Sequence, residues 1–272
     1  MAEIHPTAVI EKGAQIADDA VIGPFCCVSA QAVIGARTRL MSHVVIHNDT
    51  TLGEDNVAWP HCVFGGDPQD VGYAGQPTRL TIGNANTFRE NVTIHRGSHK
   101  GGELTTVGDR NYMMIGVHIA HDCHIGNHVL MANNIMLAGH IHVHDHVVMA
   151  GAVAIHHFAT IGSYAFIGGL AGVVHDVPPY MIADGHPARV RAVNRVGLKR
   201  NGFTEDQIDT IDAAYRQLYR HTHNGEQRPI PMADRLVAVE SDFGHDANVA
   251  NLIGFVRKAM SGPHGRYLEQ FR

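Results

Sequence analysis

From Ile4 onward, every sixth residue of this chain is apolar. Steps of six land on Ile10, Ile16, Ile22, Val28, Ile34, Leu40, Ile46, Leu52, Ala58 and Phe64. They resume in phase at Ile82, Phe88 and Ile94 and, after one slip, run from Val107 through Ile119, Ile125 and Leu137 to Val173. All 26 such positions are apolar, although only 44% of the chain is. A second slot, four residues after each start, is small or β-branched in most repeats: Ala8, Ala14, Ala20, Cys26, Ala32, later Val117, Cys123, Val129, Ala165 and Ala171. A period of six is neither the 3.6 of a helix nor the 2 of a half-buried strand. It is the spacing of the hexapeptide class of parallel β-helix. Three hexapeptides close one triangular coil of 18 residues, and coils stack ~4.8 Å apart. The repeats therefore predict about nine coils in a prism roughly 40 Å long. Hexapeptide coils wind left-handed, against the usual crossover rule. Gly often follows the start residue, as in Ile22-Gly23 and Ile125-Gly126, which reads as backbone freedom at a corner.

Two segments interrupt the count, 66–81 and about 100–106, and loops leaving a rigid prism often carry function. The repeat stops after Val177-Pro178-Pro179. The division expected is a left-handed parallel β-helix over 1–187 and an α-helical domain over 188–272. Helices are predicted at about 188–200, 204–221 and 247–260, the second opened by a Thr204-x-x-Gln207 capping box.

The coil length says which residues touch, because residues 18 apart stack. Of 22 histidines, 17 lie within residues 1–178, and none takes a start or small-residue slot. The phase thus assigns them to the outer surface, corners and loops, and a cluster runs from His118 to His157. His121 stacks under Gly139 and Gly139 under His157. Asp122 stacks under His140, His124 under His142 and His128 under His146. Removing seven loop residues puts His95 under Ala120, beside His121. A His is a general base near neutral pH. A Gly lets its N–H approach an oxyanion, and an Asp orients imidazoles. This is the composition of an acyl-transfer site with a base and no covalent nucleophile. A histidine ladder that only decorates the prism has the same spacing. Cys26, Cys62 and Cys123 occupy the buried small-residue slot and read as core fillers, with no C-x-x-C pair for a zinc knuckle.

Net charge is −5 with His neutral, so there is no basic footprint for nucleic acid. No apolar run reaches the ~20 residues of a membrane span, and the N-terminal residues lack a signal-peptide pattern. A cytoplasmic location is expected.

The run HIAHDCHIGN (118–127), with VTIHRG (92–97), QDVGYAGQPTR (69–79), DVPPY (176–180) and GLKRNGF (197–203), resembles the UDP-N-acetylglucosamine O-acyltransferases of lipid A biosynthesis. The likeness covers nearly the whole chain. It implies a homotrimer with active sites between subunits. It also implies transfer of a 3-hydroxyacyl group from acyl carrier protein to the sugar 3-hydroxyl, without metal or redox cofactor. By motif, His121 is the expected base, Asp122 its supporting acid and Gly139 the oxyanion donor. Asp70, His95, His118, His140, His156 and His157 match the sugar-nucleotide site, and Asn194 and Arg200 match nucleotide contacts. The column Asn133, Gly151, Gly169 reads as an acyl groove, Gly169 matching the length-limiting position. Three positions depart from the pattern. The usual lysine two residues after the loop Asp is Gly72. The second basic residue after GLK-Arg is Asn201, and the acidic residue before the motif is Val196. Two other classes remain at this point: a γ-type carbonic anhydrase, needing three His on zinc between subunits, and a non-catalytic trimeric scaffold.

Overall fold

The computed structural model describes residues 1–220 and 230–271. The repeat folds as a left-handed parallel β-helix of three sheets. Sheet A starts at Glu3–Ile4, sheet B at Val9–Ile10 and sheet C at Gln15–Ile16, with 11, 9 and 8 strands. Most strands are two residues long, because each face of the triangle admits only that before the next corner. Pairing is parallel at an offset of 18, as in His118↔Met136 and His124↔His142. The offset grows to 30 across the first insertion (Thr93 on Val63) and 25 across the second (His118 on Thr93). The first insertion thus adds two whole hexapeptides, which is why the phase survives it, and the second adds seven residues, which is why it slips.

From Ile22 to Val173 every start residue is buried inside the prism. Only Ile4, 42% exposed, and the partly buried Ile10 and Ile16 escape, because the first coil has no coil beneath it. Cys26, Cys62 and Cys123 are buried as well. Burial pushes the Cys62 and Cys123 thiols up to about 12, so neither supplies a thiolate.

Except at Gly65, φ 77°, the glycines after the start residues are not there for backbone freedom. The left-handed corner conformation falls on other residues, among them Phe25, Arg37, His43, Asp122 and His140. What these glycines supply is space: a Cβ at Gly126 would overlap Asp145, and one at Gly35 would overlap Gly53. Coil-to-coil approach, not φ, excludes a side chain there.

The insertions emerge at narrower bounds than 66–81 and 100–106. Arg79–Ile82 and Leu104–Val107 are four-residue strands of sheet C paired with each other. The excursions are residues 67–78 and 96–103.

The helix expected over 188–200 is wrong in its first half. Met181–Gly185 continues sheet A, and Ala188–Val193 returns antiparallel beside it. Helix α1 covers only Arg195–Arg200, with Asn194 as N-cap. Alternating Ala188, Val190 and Ala192 with Arg189 and Arg191 carry the period of two that a helix reading passes over. Helix α2 (Glu205–Tyr219) begins with the expected capping box, Gln207 N–H to Thr204 and the reciprocal bond; residue 221 of the expected span lies outside the described residues. Helix α3 (Met232–Phe243) was not foreseen. It follows Pro231 and has no side-chain cap, so its start signal is absent. Helix α4 (Ala247–Ser261) is capped by Asp246. These helices share a second apolar cluster with Tyr180, Met181 and Val193, which seats them on the end of the prism. No helix among the described residues is long and apolar enough to cross a membrane.

Candidate active site

His121 and Asp122 form the corner between sheets B and C. Asp122 takes the left-handed conformation, φ 59°, which Asp tolerates better than most residues. Its side chain is turned inward under the second insertion and is 2% exposed. Asp122 Oδ1 accepts from the Ser98 N–H at 2.8 Å, and Oδ2 accepts from Ser98 Oγ at 2.6 Å. The Asp122 N–H donates to Thr105 Oγ1 at 2.8 Å. Burial alone pushes the Asp122 carboxyl up. The hydrogen bonds from His121 and Ser98 outweigh it and hold the group below the ordinary carboxylate range. Asp122 is therefore a carboxylate, an acceptor only.

His121 Nδ1 lies 2.7 Å from Asp122 Oδ2. Facing a carboxylate, Nδ1 must donate, which leaves Nε2 with its lone pair. The phase assigned His121 to the outer surface, but it is 7% exposed. The insertion covers what a bare corner would leave open. Gly139 stands directly over the ring: a Cβ there would fall 2.6 Å from Cε1 and 2.9 Å from Nε2. Only glycine leaves the imidazole its place. Among the described residues the Gly139 N–H makes no hydrogen bond within the ladder, whereas those of Ala138 and His140 do.

The pair opens into a cavity of about 800 Å³. Of the residues singled out by sequence, Asp70, His121, Asp122, His140, His156 and His157 line it. His140 Nε2 lies 3.8 Å from Asp122 Oδ2, yet burial holds its pKa below the ordinary histidine value despite that charge. His124 and His142 are lowered by the same cause, His142 to about 4. His118 lies just before His121 on the same coil and His95 on the coil below, ring centroids 5.1 Å apart. His118 Nδ1 meets Thr93 Oγ1 at 2.8 Å, and burial lowers His95 to about 4. The ladders read from the 18-residue step are present: His124 on His142 edge-on at 4.7 Å, and His128 on His146 stacked at 4.8 Å.

The remaining assignments do not converge on His121 within one chain. Gly151 and Gly169 lie on the corner between sheets A and B, the far edge of sheet B. Contacts at Gly169 are ordinary, with a Cβ 3.5 Å from Gly151 O, so the column is open. Asn194 and Arg200 lie beside the corner between sheets C and A. The Asn194 amide is committed: its Oδ1 accepts from the Gly197 N–H at 3.1 Å, and its Nδ2 donates to Tyr164 O at 2.9 Å. Arg200 is exposed.

Sequence reading missed the parts of the wall that come from distant chain. Ser98 and Thr105 carry no motif signal. Leu268, Glu269 and Phe271 line the cavity because the segment Tyr267–Phe271 folds back onto the prism. There the Tyr267 N–H donates to Asp176 Oδ2 at 2.9 Å, and the Thr160 N–H donates to Oδ1 at 2.7 Å. Burial pushes the Asp176 carboxyl up to about 6 against these bonds. A folded value above the ordinary one makes the linked stability greatest in acid and lost as pH rises from about 4 through about 6. Relative to Asp176→Asn, the wild type should lose ground in urea unfolding across that window. Parallel pH curves for the two proteins would contradict a buried carboxyl.

His121, Asp122 and His140 present atoms within 4.8 Å of one another, a spacing that could hold a metal ion. Both Asp122 oxygens, however, already accept hydrogen bonds from His121 and Ser98.

Fold and comparisons together define a hexapeptide-repeat acyltransferase, whose loop-covered cleft holds the histidine–carboxylate pair. A family model described as UDP N-acetylglucosamine O-acyltransferase, domain 2, matches residues 176–264. Solved structures agree over nearly the whole chain. The UDP-N-acetylglucosamine O-acyltransferase of Moraxella catarrhalis is 40% identical, with 92% of this chain and 95% of that chain covered and a TM-score of 0.85. The UDP-N-acetylglucosamine acyltransferase of Francisella novicida is 35% identical, with 93% and 91% covered and a TM-score of 0.88. The Arabidopsis enzyme is 33% identical, with 95% and 97% covered and a TM-score of 0.83. The chain belongs to the UDP-N-acetylglucosamine O-acyltransferase family.

Proposed function

We propose that this protein moves a 3-hydroxyacyl group from acyl carrier protein to the 3-hydroxyl of UDP-N-acetylglucosamine, the first step of lipid A biosynthesis, in the cytoplasm. The observation that carries the reading is the 2.7 Å contact from His121 Nδ1 to Asp122 Oδ2, which sets the tautomer with Nε2 as base. His121 Nε2 takes the proton of the sugar 3-hydroxyl as its oxygen attacks the thioester carbonyl. The Gly139 N–H stabilises the tetrahedral oxyanion, a donor of a kind worth ~10²–10³-fold. Collapse breaks the carbon–sulfur bond, and the departing thiolate takes the proton back from the His121 imidazolium. Asp122 holds the imidazole and its transient charge.

The separation of the assigned residues supports assembly as a homotrimer. Gly151, Gly169, Asn194 and Arg200 border other corners of the prism than His121 does. A neighbouring copy can bring its own set to this cleft. Exposed apolar side chains on and beside sheets A and B, Val9, Phe25, Ile115, Met136 and Leu170, are suited to that contact. Exposed Lys199 and Arg200 suit an acidic carrier protein.

Mass spectrometry of the product formed from UDP-N-acetylglucosamine and a panel of acyl carrier proteins tests the reading. An O-acylated sugar nucleotide is expected. No transfer, or transfer only to a 3-amino sugar, would overturn it. The same panel tests Gly169. With no side chain at 169, a long chain of myristoyl type should be preferred, and Gly169→Met should prefer a chain several carbons shorter. Each excluded methylene is worth ~0.8 kcal/mol, roughly fourfold. The open contacts at Gly169 leave the fold intact in that variant. An unchanged length profile would mean that this column does not bound the groove.

A further inference from the structure

The catalytic cavity is lined by one Lys or Arg side chain among the described residues, and it does not come from the loop that carries Asp70. Lys100 belongs to the short turn His99–Gly101 of the second insertion. It lines the cavity opposite Gln69, Asp70 and Val71 of the first. Its backbone is fixed on the catalytic pair. A Cβ at Gly101 would overlap the Asp122 carboxylate, and Ser98 binds that carboxylate through N–H and Oγ. The side chain itself is free to reach a ligand. It is 73% exposed, with Nζ 4.0 Å from Asp70 Oδ2, a pair too loose and too solvated to hold it. A Cβ at Gly72 would fall 3.0 Å from Lys100 Nζ. The ammonium therefore stands where a side chain at position 72 would project.

Three of the lining imidazoles add no positive charge. Burial holds His124, His140 and His142 below the ordinary histidine value, so near neutral pH these imidazoles are uncharged. Asp70, Asp122 and Glu269 are all held below the ordinary carboxylate range. From this chain's own lining, a dianionic ligand meets the carboxylates of Asp70 and Asp122, a Glu269 already paired with Arg266, and one permanent cation. We propose that Lys100 binds the diphosphate of the sugar-nucleotide acceptor, supplying from the second insertion the charge that the first insertion lacks at Gly72. The inference rests on the acceptor reading above.

Steady-state kinetics with each substrate varied in turn tests it. Lys100→Ala should raise KM for UDP-N-acetylglucosamine about tenfold or more, the scale of a lost hydrogen bond to a charged group. The values of kcat and the donor KM should hold. Lys100→Arg should keep most of the affinity. Gly72→Lys in the Lys100→Ala background should restore the acceptor KM, because it returns a cation to the same part of the cavity from the other loop. A purely structural role for Lys100 gives no such rescue. The salt dependence of the acceptor KM should also weaken in Lys100→Ala. An unchanged acceptor KM in folded Lys100→Ala, or a rise confined to the donor KM, overturns the proposal while leaving the acyltransferase reading standing. A wild type that transfers nothing to UDP-N-acetylglucosamine overturns both.

Discussion

His121→Ala is expected to lower kcat at least ~10²-fold, the lower end of what a positioned general base contributes. The variant should fold. His121 lies at a corner outside the start and small-residue slots, and Asp122 keeps both hydrogen bonds from Ser98. Thermal unfolding beside single-turnover kinetics separates lost chemistry from lost structure. His121→Gln adds a control, since it retains a hydrogen-bonding side chain without a base. Near-normal turnover in either folded variant would remove His121 from the mechanism and leave the ladder of imidazoles as surface decoration.

Gly139→Ala should cost a comparable factor for a different reason. The added methyl lies 2.6 Å from His121 Cε1, closer than carbon atoms approach without bonding. The neighbouring backbone is held by the Ala138 and His140 ladder bonds, so the imidazole is the part that yields. Moving a reacting group by about 1 Å costs on the order of 10²-fold. Gly139→Ala keeps its own N–H, so the loss measures the position of the base rather than oxyanion donation. The loss should appear in kcat, because a displaced ring also weakens its bond to Asp122. Activity within about twofold of wild type would show that ring and Gly139 are not in the contact argued here.

The corner at His121 and Asp122 was legible as a set of neighbours. The 18-residue coil placed Gly139 on His121 and His140 on Asp122, and the seven-residue correction placed His95 under Ala120; the pairing registers agree. What the periodicity could not show was burial. It assigned His121 to the outer surface, because a repeat describes only the prism. The cover comes from residues 96–103 and from Tyr267–Phe271, which obey no period. The same limit hid the reason for the glycines. Spacing says that a residue is Gly, whereas the distance to the next coil says that a side chain would collide with it. It also led the strand Ala188–Val193 to be read as helix, since six residues of alternation are few against a strong helical pattern just after them.

The sequence by itself determined the prism. One apolar residue in six, pointing inward at every face, admits no other way to bury so many branched side chains with so few aromatics. That is a local rule repeated, and local rules are written in order along the chain. The tertiary structure alone decided the electrostatics of the cleft. The ionised state of Asp122, the lowered values of His124, His140 and His142 and the placement of Lys100 depend on segments far apart in sequence meeting at one corner. Charge responds to burial and to neighbours within a few ångströms, and a linear pattern encodes neither.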